Sequence, residues 1–199
     1  MRTSGDSPIY VNFLELDEPE RPGRIGLTFA PGKHDSWAGW HRDLDADLDR
    51  LRDQYSCHVL VSLLEPHEYE MLGIPGLFDG CAERGIDVVH FPIPDLCAPP
   101  PDAMERFGVL VSGILDSVSA GKTVVIHCRG GIGRTGTVAA CCLVALGHGP
   151  AEAIERVRAV RPGSVEMPEQ EGWVAEFARH PAGPHGQARA GRVTGAGGS

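Results

Sequence analysis

The sequence predicts an α/β fold in which a largely parallel central sheet is flanked by helices. Short apolar segments alternate with longer segments whose apolar residues recur every three to four positions, which is the pattern of strands joined by crossover helices. Of the 199 residues, 42% are hydrophobic and 23% are charged, as in an ordinary globular protein. A chain of this length suits one domain with short extensions.

The elements are predicted in chain order as follows. Residues 1–23 form an N-terminal arm with a strand-like segment at 9–16, which a Pro- and Glu-rich stretch then breaks. The body spans residues 24–180, with strands expected at 24–30, 58–64, 86–93 and 123–127. Helices are expected at 40–51, within 65–85, from about 102 to 118, and at 134–146, 151–160 and 168–179. Residues 181–199 are rich in Gly, Ala and Pro and predict a disordered tail.

Composition excludes several classes of protein. The net charge of −9 argues against a nucleic-acid partner or an anionic membrane surface. No apolar run reaches the roughly 20 residues that cross a bilayer, and the first residues lack a signal-like apolar region, so we expect a cytoplasmic protein. The Arg-, Gly- and Pro-rich composition is typical of a bacterial genome. The six cysteines form no Cys-x2-Cys pair, and we expect no metal or other cofactor.

The most informative segment is residues 127–136, where a strand gives way to a glycine-rich loop and a helix. Cys128 follows the strand and faces the helix N-terminus, whose unpaired N–H groups and dipole favour a thiolate. The same N–H groups can surround a phosphate, and the Arg134 guanidinium can bind two of its oxygens. The predicted phosphate-binding residues are Arg129, Gly130, Gly131, Ile132, Gly133 and Arg134.

Three other interpretations of this region are weaker. Residues 131–136 also match a dinucleotide-binding glycine pattern, but the stretch about 20 residues on predicts a helix where that fold needs a strand. Gly121-Lys122-Thr123 resembles part of a nucleotide-binding loop, but Asp116 stands where its first glycine belongs. A glycine-rich turn around an inert cysteine would require the Cys, the glycines and the Arg to coincide by accident.

A cysteine that attacks phosphorus needs an acid for the leaving oxygen and then a base for water. Asp95 is the first candidate, because its loop follows a strand that should lie beside the one ending at His127. Asp102 is the second candidate, although its position after three prolines favours a helix N-cap.

The segment His127-Cys128-x5-Arg134-Thr135 resembles the signature of cysteine-dependent protein tyrosine and dual-specificity phosphatases. Segments 27–33, 91–95 and 169–177 resemble the kinase-associated phosphatase branch, so the resemblance covers residues 24–180. It implies a dual-specificity-phosphatase-like fold and a metal-free reaction through a phosphocysteine at Cys128.

The resemblance also implies roles for further residues. Arg134 would hold the phosphate, Asp95 would act as acid and then base, and the Thr135 hydroxyl would assist departure of the thiolate. His127 would either orient the loop or be an ordinary core histidine with its hydrogen bonds satisfied. Gln170 would position the attacking water, although a glutamine near a helix start is more often a surface or capping residue.

The expected substrate is a phosphorylated protein or peptide carrying phosphotyrosine and, in a shallow cleft, phosphoserine or phosphothreonine. Lipid-phosphate relatives carry Lys in the loop, whereas Arg129 is the one additional charge in this loop. The alternatives are a phosphatase for lipid or small-molecule monoesters, and a phosphate-binding module without turnover. Sulfur transfer and arsenate reduction are more distant alternatives, since they use a comparable cysteine loop.

Overall fold

The computed structural model describes residues 1–17 and 22–180, and the predicted disordered tail lies outside these residues. The described strands β1 to β7 are Asn12–Phe13, Arg24–Phe29, His34–Asp35, Trp40–His41, Cys57–Ser62, Asp87–His90 and Thr123–Cys128. The described helices α1 to α7 are Leu44–Asp53, Pro66–Met71, Leu77–Glu83, Met104–Ser119, Gly133–Ala145, Pro150–Val160 and Pro168–Arg179.

The central sheet has five strands in the order β1-β2-β7-β5-β6. Strands β2, β7, β5 and β6 are parallel, and β1 is antiparallel to β2. Every residue of β7 is buried, as expected of a parallel strand that is covered on both faces. The predicted α/β fold with a largely parallel sheet is confirmed.

Helices cover both faces of the sheet. Val124 and Ile126 of β7 contribute to a core with α4 to α7, whereas Val125 faces the core formed with α1 to α3. Helix α5 is buried along most of its length, because it packs against the sheet, α4, α6 and α7. Its buried small and apolar residues are therefore distributed on all sides of the helix instead of forming one stripe.

Two local predictions are wrong. The helix expected from residue 40 begins at Leu44, because Trp40 pairs in the β3–β4 hairpin and the Asp43 carboxylate accepts the Ala46 N–H at 2.7 Å as an N-cap. Asp102 does not cap α4. It lies in a 3₁₀ turn, Pro101–Ala103, which the fixed φ of proline favours, and α4 starts after it.

The N-terminal arm packs against the body of the protein. Its strand β1 pairs with Leu27 and Gly26 of β2. Ile9 and Val11 are buried on one side of the sheet, and Leu14 and Leu16 on the other. The alternating pattern therefore supplies side chains to both cores, while the division of the chain at residue 24 stays a prediction.

Parallel strands bring their carboxyl ends to one edge of the sheet, where the connecting loops meet. Strand β7 ends at Cys128, β5 is followed by α2, and β6 is followed by the loop that contains Asp95. The candidate nucleophile and the candidate acid therefore lie at the same edge.

Candidate active site

Hydrogen bonds from two side chains to outward-facing carbonyl oxygens hold the shape of the loop between β7 and α5. Lys33 Nζ donates to the Arg129 carbonyl oxygen at 2.9 Å. Arg161, at the end of α6, donates to the carbonyl oxygen of Gly130 at 3.0 Å and also to that of Gly131. The C=O and N–H of a trans peptide point in opposite directions, so these contacts turn the following N–H groups toward the inside of the loop.

The inward direction of the amides is visible at Cys128, where the Gly131 N–H donates to the cysteine sulfur at 3.2 Å. This contact places a backbone donor directly against the sulfur. Ile132 completes the arrangement, because its carbonyl accepts the Gly136 N–H in the first turn of α5. An amide that points into such a loop is the kind of donor that a tetrahedral oxyanion accepts from, so oxyanion binding by the loop stays a prediction.

Gly131 is the glycine that the loop requires most strictly. Its φ is +68°, in the left-handed region, and a Cβ there would overlap the Thr28 carbonyl. At Gly133 a Cβ would come within 3.0 Å of the carboxylate of Glu166 and the amide of Gln170. At Gly130 the nearest atom to a Cβ would be 3.5 Å away, so packing alone does not require glycine there.

Arg134 is buried and bound on one side by a carboxylate. Its Nη1 and Nη2 lie 2.6 and 2.9 Å from the two oxygens of Glu68, and Nη1 also donates to the Ile93 carbonyl at 3.0 Å. Nη2 lies 2.8 Å from Asp95 Oδ1. Among the described residues the Nε–H has no acceptor, so this donor is available to a phosphate oxygen.

The charges of Glu68 and Arg134 depend on each other. Burial opposes ionisation of Glu68, but the hydrogen bonds from Arg134 and the Glu65 N–H outweigh it and lower the pKa of Glu68 below its usual value of 4.5. Burial also opposes the charge on Arg134, and Glu68 again reverses the effect, raising the pKa of Arg134. The pair is therefore fully ionised at neutral pH.

Asp95 lies in a tight turn after β6. The Cys97 N–H donates to the Pro94 carbonyl at 3.1 Å, and Leu96 between them has a φ of +60°. A left-handed conformation is strained for leucine, and such strain is characteristic of functional turns. The Asp95 side chain is 45% exposed, in contrast to Glu68, so it has room to leave Arg134.

Lys33 is a buried cation beside the loop. Burial lowers the pKa of Lys33 to about 8, although the charges of Asp35 and Cys128 act in the opposite direction. Its Nζ also lies 5.0 Å from the ring centroid of Phe29 and 5.2 Å from that of Trp40. Lys33 is therefore charged at neutral pH and loses this charge in mildly alkaline solution.

Arg129, predicted to contact phosphate, is already paired. Its Nε and Nη2 lie 3.0 and 2.9 Å from the carboxylate of Asp35, which is buried. Burial raises the pKa of Asp35, but the Arg129 contacts outweigh this and lower it overall. Asp35 therefore neutralises the one additional charge of the loop.

Unsatisfied polar atoms concentrate at this site. Among the described residues, six buried side-chain nitrogen or oxygen atoms lack a hydrogen-bond partner, and four of them belong to His127, Arg134 and Thr135. Burial lowers the pKa of His127 to about 3, so the ring is neutral. His127 is therefore a buried neutral ring, and whether it orients the loop or is an ordinary core histidine stays a prediction.

Gln170 lies at the edge of the loop and in a capping position. Its Oε1 accepts the Met167 N–H at 3.2 Å at the start of α7, and its Nε2 donates to the Cys97 carbonyl at 3.1 Å. Gln170 therefore connects α7 to the loop that carries Asp95. Because the Gln170 amide also lies beside Gly133 of the loop, both a capping and a water-positioning role stay open for this side chain.

The remaining buried cysteines are poor nucleophiles. Burial raises the pKa of Cys57, Cys81 and Cys142 to about 12 and that of Cys141 well above its usual value. All four are buried in the core as small side chains. Cys128 lies instead at the start of the loop, where the Gly131 N–H donates to its sulfur.

Three residues that hold the site together, Glu68, Lys33 and Arg161, were not assigned a role from the sequence. Along the sequence, Glu68 is 66 residues from Arg134, and Lys33 is 96 residues from the loop carbonyl that it binds. Arg161 is 30 and 31 residues from its two loop carbonyls. For Lys33 and Glu68 a topological signal was available, since a charged residue that follows a parallel strand lies near the carboxyl edge, whereas Arg161 follows a helix. The part of the chain that the structure describes contains no His, Cys, Asp and Glu cluster suited to a metal ion and no helix able to span a membrane.

The fold and the cysteine–arginine loop define a cysteine-dependent phosphatase. Residues 40–148, more than half of the chain, match the family model described as "Polymorphic toxin system, DSP-PTPase phosphatase". The chain belongs to this family, and it is therefore a phosphoric monoester hydrolase of the tyrosine and dual-specificity class.

Similar proteins agree with this assignment. Cyclin-dependent kinase inhibitor 3 of Rattus norvegicus is 28% identical over 174 residues, which cover 86% of this chain and 79% of that protein. The crystal structure of kinase associated phosphatase with a serine at its catalytic cysteine has a TM-score of 0.78 and 24% identity, and the match covers 89% of this chain and 98% of that one. Tk-PTP in the active form has a TM-score of 0.66 and 30% identity, covering 84% and 97%.

Proposed function

We propose that this protein hydrolyses phosphotyrosine and, with a shallow cleft, phosphoserine and phosphothreonine in proteins or peptides, through a phosphocysteine at Cys128 and without a cofactor. The observation that carries the proposal is the loop geometry. Lys33 and Arg161 hold loop carbonyls from outside, and the Gly131 N–H points at the sulfur. Such preorganised donors stabilise the charge that develops on phosphate oxygens during transfer.

In the first step the Cys128 thiolate attacks phosphorus. A sulfur–phosphorus bond forms, the bond from phosphorus to the leaving oxygen breaks, and the protonated Asp95 carboxyl gives its proton to that oxygen. The Nε–H of Arg134, which lacks an acceptor among the described residues, donates to an equatorial phosphate oxygen.

In the second step water attacks the phosphocysteine. Asp95, now a carboxylate, takes a proton from the water, an oxygen–phosphorus bond forms, and the sulfur–phosphorus bond breaks. The electron pair returns to Cys128 as a thiolate. The Thr135 hydroxyl, buried without a partner among the described residues, is the proposed donor to this sulfur, and Gln170 is the proposed contact for the water.

The contact between Asp95 and Arg134 suggests how substrate prepares the acid. A phosphate dianion competes with the Asp95 carboxylate for Nη2, whereas Glu68 keeps its buried bidentate contact. The half-exposed Asp95 is the carboxylate that is displaced more easily. Substrate binding would thus release Asp95 from Arg134, and the freed carboxylate, 45% exposed, would take a proton from solvent before it donates that proton to the leaving oxygen.

The pairing of Arg129 with Asp35 supports a substrate with one phosphate. A polyphosphorylated lipid head group would gain more from an unpaired cation in the loop. A lipid monoester remains the alternative, because phosphatidylglycerophosphate phosphatase PTPMT2 of Arabidopsis thaliana is 32% identical over 137 residues, or 67% of this chain and 55% of that protein. A phosphate-binding module without turnover is the other alternative.

A substrate panel distinguishes these functions. We compare kcat/KM of wild type and Cys128→Ser on a set of phosphate monoesters. The set contains peptides with phosphotyrosine, phosphoserine or phosphothreonine, short-chain phosphatidylinositol phosphate, phosphatidylglycerophosphate and an aryl phosphate. We expect the highest kcat/KM on phosphotyrosine peptides and only background release with Cys128→Ser. Faster hydrolysis of the lipids would replace the proposed substrate, and equal rates for wild type and variant would refute catalysis by Cys128.

The acid is tested with two matched variants in the same loop. Asp95→Asn should lower kcat on phosphoserine peptides by about 10²–10⁴-fold, and by less on an aryl phosphate, whose leaving group needs little protonation. Asp102→Asn should retain wild-type kcat, because Asp102 lies in the exposed 3₁₀ turn. The opposite pattern would make Asp102 the acid.

A further inference from the structure

An apolar groove lies on the face of the sheet that α4 covers, on the β6 side. Its volume is about 260 Å³. The sheet contributes valines to its wall, and α4 contributes Leu110 and Ile114. Val89 of β6 and Val109 of α4 are partly exposed beside it, at 40% and 70%. The groove therefore presents apolar surface to solvent.

Gly113 is the residue that keeps the groove open. It lies in the middle of α4 and lines the groove, and a Cβ at this position would meet no atom within 4 Å. Glycine is unfavourable inside a helix relative to alanine or leucine, and no close packing in the described residues requires it here. A side chain at this position would extend into the open space.

Arg106 provides a charge on the same wall. It lies about two turns before Gly113 on α4 and lines the groove. Within residues 1–17 and 22–180 its guanidinium has no hydrogen bond, ion pair or ring contact. This is notable in a chain of net charge −9, where carboxylates are abundant.

We propose that the groove between α4 and the sheet binds an amphipathic anion with one aliphatic chain, such as a medium-chain carboxylate, with the chain beside Gly113 and the head group at Arg106. The apolar walls suit the chain and the unpaired guanidinium suits the carboxylate. Since a water molecule occupies about 30 Å³ and a methylene group is of similar size, the groove holds roughly eight or nine methylene groups.

The experiment is a calorimetric titration of the full chain with decanoate, followed by decanol and decyltrimethylammonium. We expect one molecule of decanoate per chain with a Kd below about 1 mM, decanol bound roughly 3- to 10-fold more weakly, and the cationic compound weaker still. Arg106→Gln should remove the preference for decanoate over decanol without affecting decanol. Equal affinities of wild type for all three compounds would overturn the role of Arg106.

Gly113→Leu tests the groove itself. The leucine should occupy the open space and weaken decanoate binding at least 10-fold, while the Tm stays the same or rises because leucine favours the helix. Gly172→Leu is the matched control, because Gly172 is also a helical glycine without atoms within 4 Å of a Cβ but lies on α7. The control should bind decanoate as wild type does.

Aryl-phosphate hydrolysis by each variant reports on folding and is independent of decanoate binding. Unchanged decanoate affinity in Gly113→Leu, or no binding to wild type below 1 mM, would overturn the proposal. A concentration-dependent dimer that Gly113→Leu converts to monomer would also overturn it, by showing that a second copy of the chain covers the groove.

Discussion

Replacing Glu68 with glutamine removes one negative charge from the buried pair with Arg134 and preserves the shape of the side chain. Both side chains of this pair are only 1% exposed, and their two contacts measure 2.6 and 2.9 Å. In the variant the guanidinium keeps its burial but loses its main counter-charge. The variant therefore tests whether Glu68 both stabilises the fold and positions Arg134.

The expected loss of stability follows from the geometry. Removing one partner of a buried ion pair costs about 3–5 kcal/mol, because the other charge remains desolvated. Asp95 still lies 2.8 Å from Nη2, so we expect the lower end, about 3 kcal/mol. At about 2–4 °C per kcal/mol for a chain of this size, the Tm should fall by roughly 6–12 °C. A displaced Arg134 should also lower kcat/KM by about 10²-fold.

The loss should depend on pH. The pKa of Glu68 is lower in the folded protein than its usual value of 4.5, so its stabilising contribution is complete above that value and disappears as the pH falls through the folded-state pKa. Wild type should therefore lose stability below pH 4.5 more steeply than Glu68→Gln. The difference in free energy of unfolding between the two proteins should be larger at pH 7 than at pH 3.5.

Urea unfolding followed by circular dichroism at both pH values, with kcat/KM on an aryl phosphate at pH 7, measures these effects. Asp53→Asn is the control, because it breaks the exposed contact between Asp53 and Arg52 at 2.6 Å and should not change the midpoint. If Glu68→Gln unfolds at the same urea concentration as this control and retains wild-type kcat/KM, the reasoning is refuted.

Four further variants test the loop, and one of them, Gly130→Ala, is a control. Gly131→Ala should lose about 1–3 kcal/mol of stability from its positive φ alone, measured by thermal unfolding, whereas Gly130→Ala should melt like wild type. Because the pKa of Lys33 is about 8, wild-type kcat/KM on an aryl phosphate should fall above pH 8, and Lys33→Gln should lack this dependence. Arg161→Lys, which loses the fork that binds two carbonyls, should bind vanadate about 10-fold more weakly by inhibition assay; unchanged inhibition would contradict its positioning role.

The elements that the sequence predicted well have boundaries set by nearby residues. Helix α7 was expected and is found at Pro168–Arg179, since a proline favours the first turn and the apolar residues keep a helical period. The start of α1 was predicted wrongly. Trp40 fits the helical pattern, but it pairs in the β3–β4 hairpin, and only this pairing shows that the helix begins at Leu44.

The residues of the candidate site also differ in how far the sequence could predict them. Cys128 and Arg134 are six residues apart, and the strand, glycines and helix between them are written consecutively in the chain. Their relation could therefore be inferred from local backbone geometry. Asp95 required one additional step, namely that parallel strands end at a common edge.

The sequence by itself determined the α/β class, the order of most elements and the cysteine loop, because each depends on short-range periodicity, turns and helix ends. Only the tertiary structure showed that Glu68 holds Arg134, that Lys33 and Arg161 hold the loop carbonyls, and that Asp35 neutralises Arg129. These contacts join residues 30 to 96 positions apart. A buried charge needs a partner, but the sequence does not state which distant residue provides it, because the packing of the whole chain makes that choice.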